Sequence, residues 1–91
     1  MFYVVSYDIP DDKRRLRAAK VLLEFGIRVQ YSVFECLLQE DQRQDLADRL
    51  ASVIELTDDR IRIYPLCANC KQEVALLGEG KLTEDPEVYI V

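Results

Sequence analysis

The chain contains no histidine and no tryptophan. A histidine general base, a Ser-His-Asp triad and a His-ligated zinc are therefore excluded within it. Only three glycines and three prolines occur in 91 residues, which rules out a collagen-like or low-complexity chain. No apolar run approaches the ~18 residues of a membrane span, so no membrane partner is expected. Three cysteines, an odd number, argue against a disulfide framework and make the cytoplasm the expected compartment. Met1-Phe2-Tyr3-Val4-Val5 has no basic region ahead of it and no cleavage-type stretch after it, so no secretory signal is expected.

What is present is a composition that can fold. It is 49% hydrophobic and 32% charged, outside the range of disordered chains. One domain over residues 1–91 is expected, with a thin core, because chains of this size bury about 60–65% of their unfolded surface. A core that small favours self-association. The net charge of −5 makes nucleic acid a poor first guess. Its distribution says otherwise. Residues 1–30 carry six basic and four acidic side chains, whereas residues 31–91 carry six basic and thirteen acidic ones. Five of the early bases, Lys13, Arg14, Arg15, Arg17 and Lys20, crowd one segment. Bulk acidity governs solubility and long-range fields, not what a local patch binds.

Phe2 to Ile9 is rich in Val, Tyr and Ile and reads as a buried strand, ended by Pro10. Asp11 or Asp12 can cap a helix over about 12–25. Leu16, Ala18, Ala19, Leu22, Leu23 and Phe25 form its apolar arc, Lys13, Arg17 and Lys20 lie opposite, and Gly26 is its stop signal. Arg28 to Leu38 reads as a second strand, long enough to bend, with Arg28, Gln30 and Ser32 on one side and Phe34 continuing the row. A second helix spans Gln39 to about Ile54, with Leu46, Leu50, Val53 and Ile54 at helical spacing. Arg60 to Cys67 is a strand, Gln72 to Leu77 a short one, and residues 87–91 a β-rich tail. The expected class is α+β: a ferredoxin-like βαββαβ with an additional C-terminal strand, an antiparallel sheet with two helices on one face. The other sheet face, expected to show Tyr3, Tyr7, Phe34 and Tyr64, would be covered by a second copy. The tail 87–91 would complete a sheet of that partner subunit.

Asp8 is the most informative position. A carboxylate ending a buried strand, beside a basic helix, offers a hard oxygen to Mg²⁺ or Mn²⁺, or serves simply as a turn residue. Lys13, Arg14 and Arg15 stand at a helix N-terminus, where positive charge opposes the macrodipole. Arg15 also falls inside the apolar arc, and such a local conflict marks a functional site or a face balanced by Asp11 and Asp12. Guanidinium groups there suit phosphate oxygens, so Lys13, Arg14, Arg15, Arg17 and Lys20 form the expected nucleic-acid surface. Cys67-Ala68-Asn69-Cys70 has C-x-x-C spacing. Zinc would need two further ligands, with Cys36 one candidate, and two plain thiols are the simpler reading.

Tyr7-Asp8-Ile9-Pro10-Asp11-Asp12, then Arg15 and Arg17, then Gly26 and Arg28-Val29-Gln30-Tyr31-Ser32-Val33-Phe34-Glu35, resembles the CRISPR-associated protein two family. Arg62-Ile63-Tyr64-Pro65-Leu66-Cys67 and Cys70 fit as well. The resemblance implies a homodimer, a role in acquiring spacers within a heterohexamer with integrase subunits, and a metal-dependent endonuclease acting on single-stranded RNA or double-stranded DNA. It makes Asp8 the metal-binding acid, with Tyr7, Arg15, Arg17, Arg28 and Phe34 supporting catalysis and Ser32 a weaker match. Two Asp8 carboxylates facing across a dimer axis would share one Mg²⁺ or Mn²⁺. The rival readings are a non-catalytic DNA-bridging scaffold and a regulatory module that binds a small molecule.

Overall fold

The computed structural model describes residues 1–84. Four strands form one antiparallel sheet in the order β2-β3-β1-β4. β1 is Phe2–Asp8, β2 Gly26–Gln30, β3 Val33–Leu37 and β4 Arg60–Leu66. Helix α1, Asp12–Leu23, joins β1 to β2, and α2, Glu40–Val53, joins β3 to β4. A short helix α3, Ala68–Gln72, follows β4. This is the expected ferredoxin-like βαββαβ order.

Strand alternation sorts β1 onto two faces. Tyr3, Val5 and Tyr7 pack with Phe34, Cys36, Ala18, Ala19, Val21, Leu22, Leu46 and Leu50 into the core beneath both helices. Phe2, Val4, Ser6 and Asp8 point to the opposite, open face. Cross-strand register adds Val33, Glu35 and Leu37 from β3, and Arg60, Arg62, Tyr64 and Leu66 from β4. The expected exposure of Tyr3, Tyr7 and Phe34 is thus corrected. The parity that points Asp8 outward points these three inward, and only Tyr64 stays on the open face.

The expected single strand 28–38 is a hairpin. Tyr31 and Ser32 make its turn, and a bulge between Arg28 and Gln30 shifts the register. Arg28 therefore sits opposite Phe34, not in line with Gln30 and Ser32. Gly26 opens β2 instead of stopping α1. A Cβ there would meet the Glu35 carbonyl oxygen at 2.3 Å and the Cys36 sulfur at 2.5 Å, so the hairpin pairs closely only without a side chain. In α1 the buried stripe is Ala18, Ala19, Val21 and Leu22, while Leu16 and Leu23 are exposed. The Asp11 carboxylate caps this helix by accepting from the Arg14 N–H at 2.9 Å.

No strand forms over 72–77. Gln72 ends α3, a turn follows at Glu73, and the chain then runs irregularly, with Leu77 96% exposed. A strand needs a neighbour to satisfy its backbone, and among the described residues this stretch has none. Beyond α3 the chain crosses one end of the open face. Lys71 Nζ lies 4.9 Å from the Phe2 ring centroid, and the Thr83 N–H and hydroxyl donate to Glu35 at 3.0 and 2.8 Å. Phe2 is consequently buried, while Asp8, at the other end, is exposed. The expected tail strand 87–91 lies outside the described residues. Among those described, no helix is long and apolar enough to cross a membrane.

Candidate functional site

Asp8 is the last residue of β1 and lies directly opposite Arg60 on β4; Ser6 lies opposite Arg62. Such cross-strand partners have Cβ atoms about 5 Å apart on one face. Together with the Tyr7 backbone these four side chains line a shallow depression of about 190 Å³. Among the described residues the Asp8 carboxylate has no hydrogen bond or ion pair, and the Arg60 guanidinium has none either. Arg62 donates to the Tyr64 hydroxyl at 3.1 Å, and that bond raises its pKa further. The depression thus presents one uncommitted carboxylate beside two permanent positive charges on the neighbouring strand. Its chemistry suits a phosphodiester: arginines for the anionic oxygens and a hard oxygen for a cation they bring with them.

The other expected catalytic residues lie through the sheet, on its helix side. Tyr7 is buried and its hydroxyl donates to the Tyr31 carbonyl at 3.1 Å. Its ring sits 6.3 Å from that of Phe34, and the Arg28 guanidinium lies 5.2 Å from the Phe34 ring centroid. Arg15 donates to the Ile9 carbonyl at 2.9 Å and to the Asp12 carboxylate. The bond to Asp12, helped by nearby Tyr31, raises the Arg15 pKa. Tyr7, Arg15, Arg28 and Tyr31 line a cleft of about 290 Å³ between α1 and the hairpin. Arg15 occupies the apolar arc because it reaches the carbonyls that end β1. The conflict visible in the sequence has a local compensation.

The basic cluster of α1 also divides. Arg14 forks onto Asp59, Nε at 2.7 Å and Nη2 at 3.1 Å, and the Glu55 N–H donates to the same carboxylate at 2.8 Å. The Asp59 side chain is fully buried, and the Arg14 fork holds its pKa below the usual carboxylate value. This pair ties the start of α1 to the turn before β4. Lys13, Arg17 and Lys20 are exposed and, among the described residues, carry no side-chain partner.

A family model described as CRISPR associated protein Cas2 matches residues 1–74. The chain belongs to the Cas2 family. It is 44% identical over 89 residues to a CRISPR-associated endoribonuclease Cas2 of Synechocystis, a match covering 98% of this chain and 97% of that protein. It is 45% identical over 89 residues to a CRISPR-associated endonuclease Cas2 of Thermus thermophilus, covering 98% and 94%. Among solved structures, a chain of a partial Cas6-RT-Cas1–Cas2 complex superposes with a TM-score of 0.78 at 25% identity, covering 93% of each chain.

The expected catalytic residues therefore fall on both sides of one strand end, Asp8 outward and Tyr7 inward. Arg60 and Arg62, across the strands from Asp8 and Ser6, and Asp59, which holds Arg14, are missing from the site residues expected from the sequence, although Arg62 opens one of the matching segments. Their signal is there: Arg60-Ile61-Arg62-Ile63-Tyr64 alternates with strand period, and averaging charge over residues 31–91 hides it. Among the described residues no group of three or more Asp, Glu, Cys or His could hold a metal. Asp8 alone still fits Mg²⁺ or Mn²⁺, ions that accept one protein carboxylate when water and phosphate oxygens fill the other positions. A bare cation would be repelled by Arg60 and Arg62, so the fit requires the phosphate or a second carboxylate as well.

Proposed function

We propose that this Cas2-family chain acts in CRISPR adaptation as a symmetric pair, and hydrolyses phosphodiester bonds at its open sheet face. The reading is carried by the free, exposed carboxylate of Asp8 beside Arg60 and Arg62. The names of the relatives, an endoribonuclease and an endonuclease, support cleavage of nucleic acid. Val4, Val33, Leu37, Tyr64 and Leu66 on the same face supply the apolar surface that a second copy would bury.

Asp8 would hold Mg²⁺ or Mn²⁺, and such an ion supplies Lewis acidity to a phosphate oxygen and a coordinated water of lowered pKa. Arg60 and Arg62 neutralise the scissile phosphate, and the Ser6 hydroxyl is placed to hydrogen-bond it. Arg15 holds the carbonyls of Ile9 and Pro10 and so fixes the backbone next to Asp8. Tyr7 and Phe34 anchor the same strand end from inside the core, with Arg28 stacked above. All four are positioning residues. Lys13, Arg17 and Lys20 extend the positive surface along the nucleic acid. In a pair, two Asp8 carboxylates brought together repel unless a cation or a proton lies between them. Metal, pH and pairing are therefore linked.

A panel of single-stranded RNA, single-stranded DNA and double-stranded DNA, each with Mg²⁺, Mn²⁺ or EDTA, tests this. Cleavage by the wild type, absent with EDTA and in a folded, dimeric Asp8→Asn, is the expected result. Metal-independent cleavage by Asp8→Asn would overturn it. A second reading, a non-catalytic scaffold that bridges DNA between integrase subunits, is favoured by the likeness to a chain from a Cas1–Cas2 complex. It predicts that Asp8→Asn leaves spacer integration intact, whereas charge reversal of Lys13, Arg17 and Lys20 impairs it.

A further inference from the structure

We propose that Cys67 and Cys70 form a reversible dithiol–disulfide site that takes a low-molecular-weight disulfide such as oxidised glutathione, and that it controls the turn from which the chain crosses the open face. Cys67 is the N-cap of α3, and its sulfur accepts from the Cys70 N–H at 3.4 Å. Both cysteines are free and exposed, in contrast to buried Cys36. Residues three apart in the first turn of a helix have Cα atoms about 5 Å apart, inside the range a disulfide requires. Closure therefore needs side-chain rotation and no backbone rearrangement.

The two sulfurs are unequal. Hydrogen bonds from the Cys70 backbone and thiol lower the Cys67 pKa, while the bond to Cys67 raises that of Cys70. Burial pushes the Cys36 thiol up to about 11, which makes it a built-in unreactive control. In the reaction, the Cys67 thiolate attacks one sulfur of the small disulfide and releases one thiolate. The Cys70 thiolate then attacks the Cys67 sulfur and releases the second. Two electrons and two protons leave the cysteine pair, and the small disulfide becomes two thiols.

The position gives the chemistry a consequence. The Lys71 N–H donates to the Cys67 carbonyl at 2.9 Å, and the Lys71 side chain lies over Phe2. A bond between Cys67 and Cys70 fixes this turn, the point from which the segment that reaches Glu35 through Thr83 sets out.

The test equilibrates the full chain with mixtures of reduced and oxidised glutathione, quenches with acid, alkylates and maps the peptides. The expected product is a chain lacking two hydrogens, linked internally from Cys67 to Cys70 and restored by dithiothreitol, with Cys36 alkylated only after unfolding. Cys70→Ser should accumulate glutathione on Cys67, and Cys67→Ser should react about tenfold more slowly at Cys70. Hydrogen exchange at the Lys71 amide should slow about tenfold on oxidation. Glutathione adducts without the internal bond, cross-linked chains only, or Zn²⁺ retained by both thiols against glutathione would overturn the site. Unchanged exchange at Lys71 would overturn its control of the turn.

Discussion

The two sides of the sheet at the end of β1 carry similar side chains and use them differently. On the helix side, Arg14 and Arg15 are bonded to Asp59, Asp12 and the Ile9 carbonyl, and Tyr7 to the Tyr31 carbonyl. On the open side, Asp8 and Arg60 face each other across the strands with no bond between them. Polar groups with satisfied partners hold a fold. Those left unsatisfied at a surface are available to a ligand, since water gives up their bonds at little cost. The expected catalytic residues thus divide into the proposed site and the frame that aims it.

The sharpest way to break this comparison is Asp8→Asn. It should lower metal-dependent cleavage by about a hundredfold or more while the melting temperature stays within a few degrees, as a free surface carboxylate implies. A large fall in melting temperature, measured by circular dichroism, would place Asp8 among the frame residues instead.

Next comes Asp59→Ala, which strands the Arg14 guanidinium on the framing side. It should lower the melting temperature by roughly 10 °C. The pH dependence has a definite sign. The folded pKa of Asp59 is depressed, so its contribution is complete above the ordinary carboxylate value of 3.8 and is lost as pH falls through the lower folded value. Acid titration of the melting temperature should show this loss in the wild type and not in Asp59→Asn.

Replacing Arg60 and Arg62 together by Ala should weaken nucleic-acid binding about tenfold and reduce the slope of log affinity against log salt by about two, with stability unchanged. The smallest effect belongs to Arg17→Ala, about two- to threefold in affinity, because an exposed helix-surface charge contributes one long-range contact. Equal effects of Arg17→Ala and the Arg60 and Arg62 pair would shift the binding surface to the helix.

Much of the fold is legible where one pattern acts alone. The alternation in Phe2–Asp8, the Asp11 cap and the helical spacing of Leu46 and Leu50 each declare their element. The hairpin is not legible, because Tyr31-Ser32 lacks the Gly, Asn or Asp that marks tight turns and β-forming residues run through it. Which face receives Tyr3, Tyr7 and Phe34 depends on where the helices dock, a long-range fact that alternation alone leaves open. Asp8 stands out as a charge ending an apolar strand. The Arg14–Asp59 pair, 45 residues apart, cannot be read locally. Arg60 and Arg62 become visible once β4 is laid antiparallel to β1, since that register sets them beside Asp8 and Ser6.

Paramagnetic broadening by Mn²⁺, titrated into the isotope-labelled chain with a short nucleic acid whose backbone resists cleavage, tests directly whether the working side is the open face. The amide resonances of Ser6, Asp8, Arg60 and Arg62 should broaden first in the wild type and remain sharp in Asp8→Asn. Broadening centred on the cleft lined by Arg15, Arg28 and Tyr31, or identical in both proteins, would contradict the account.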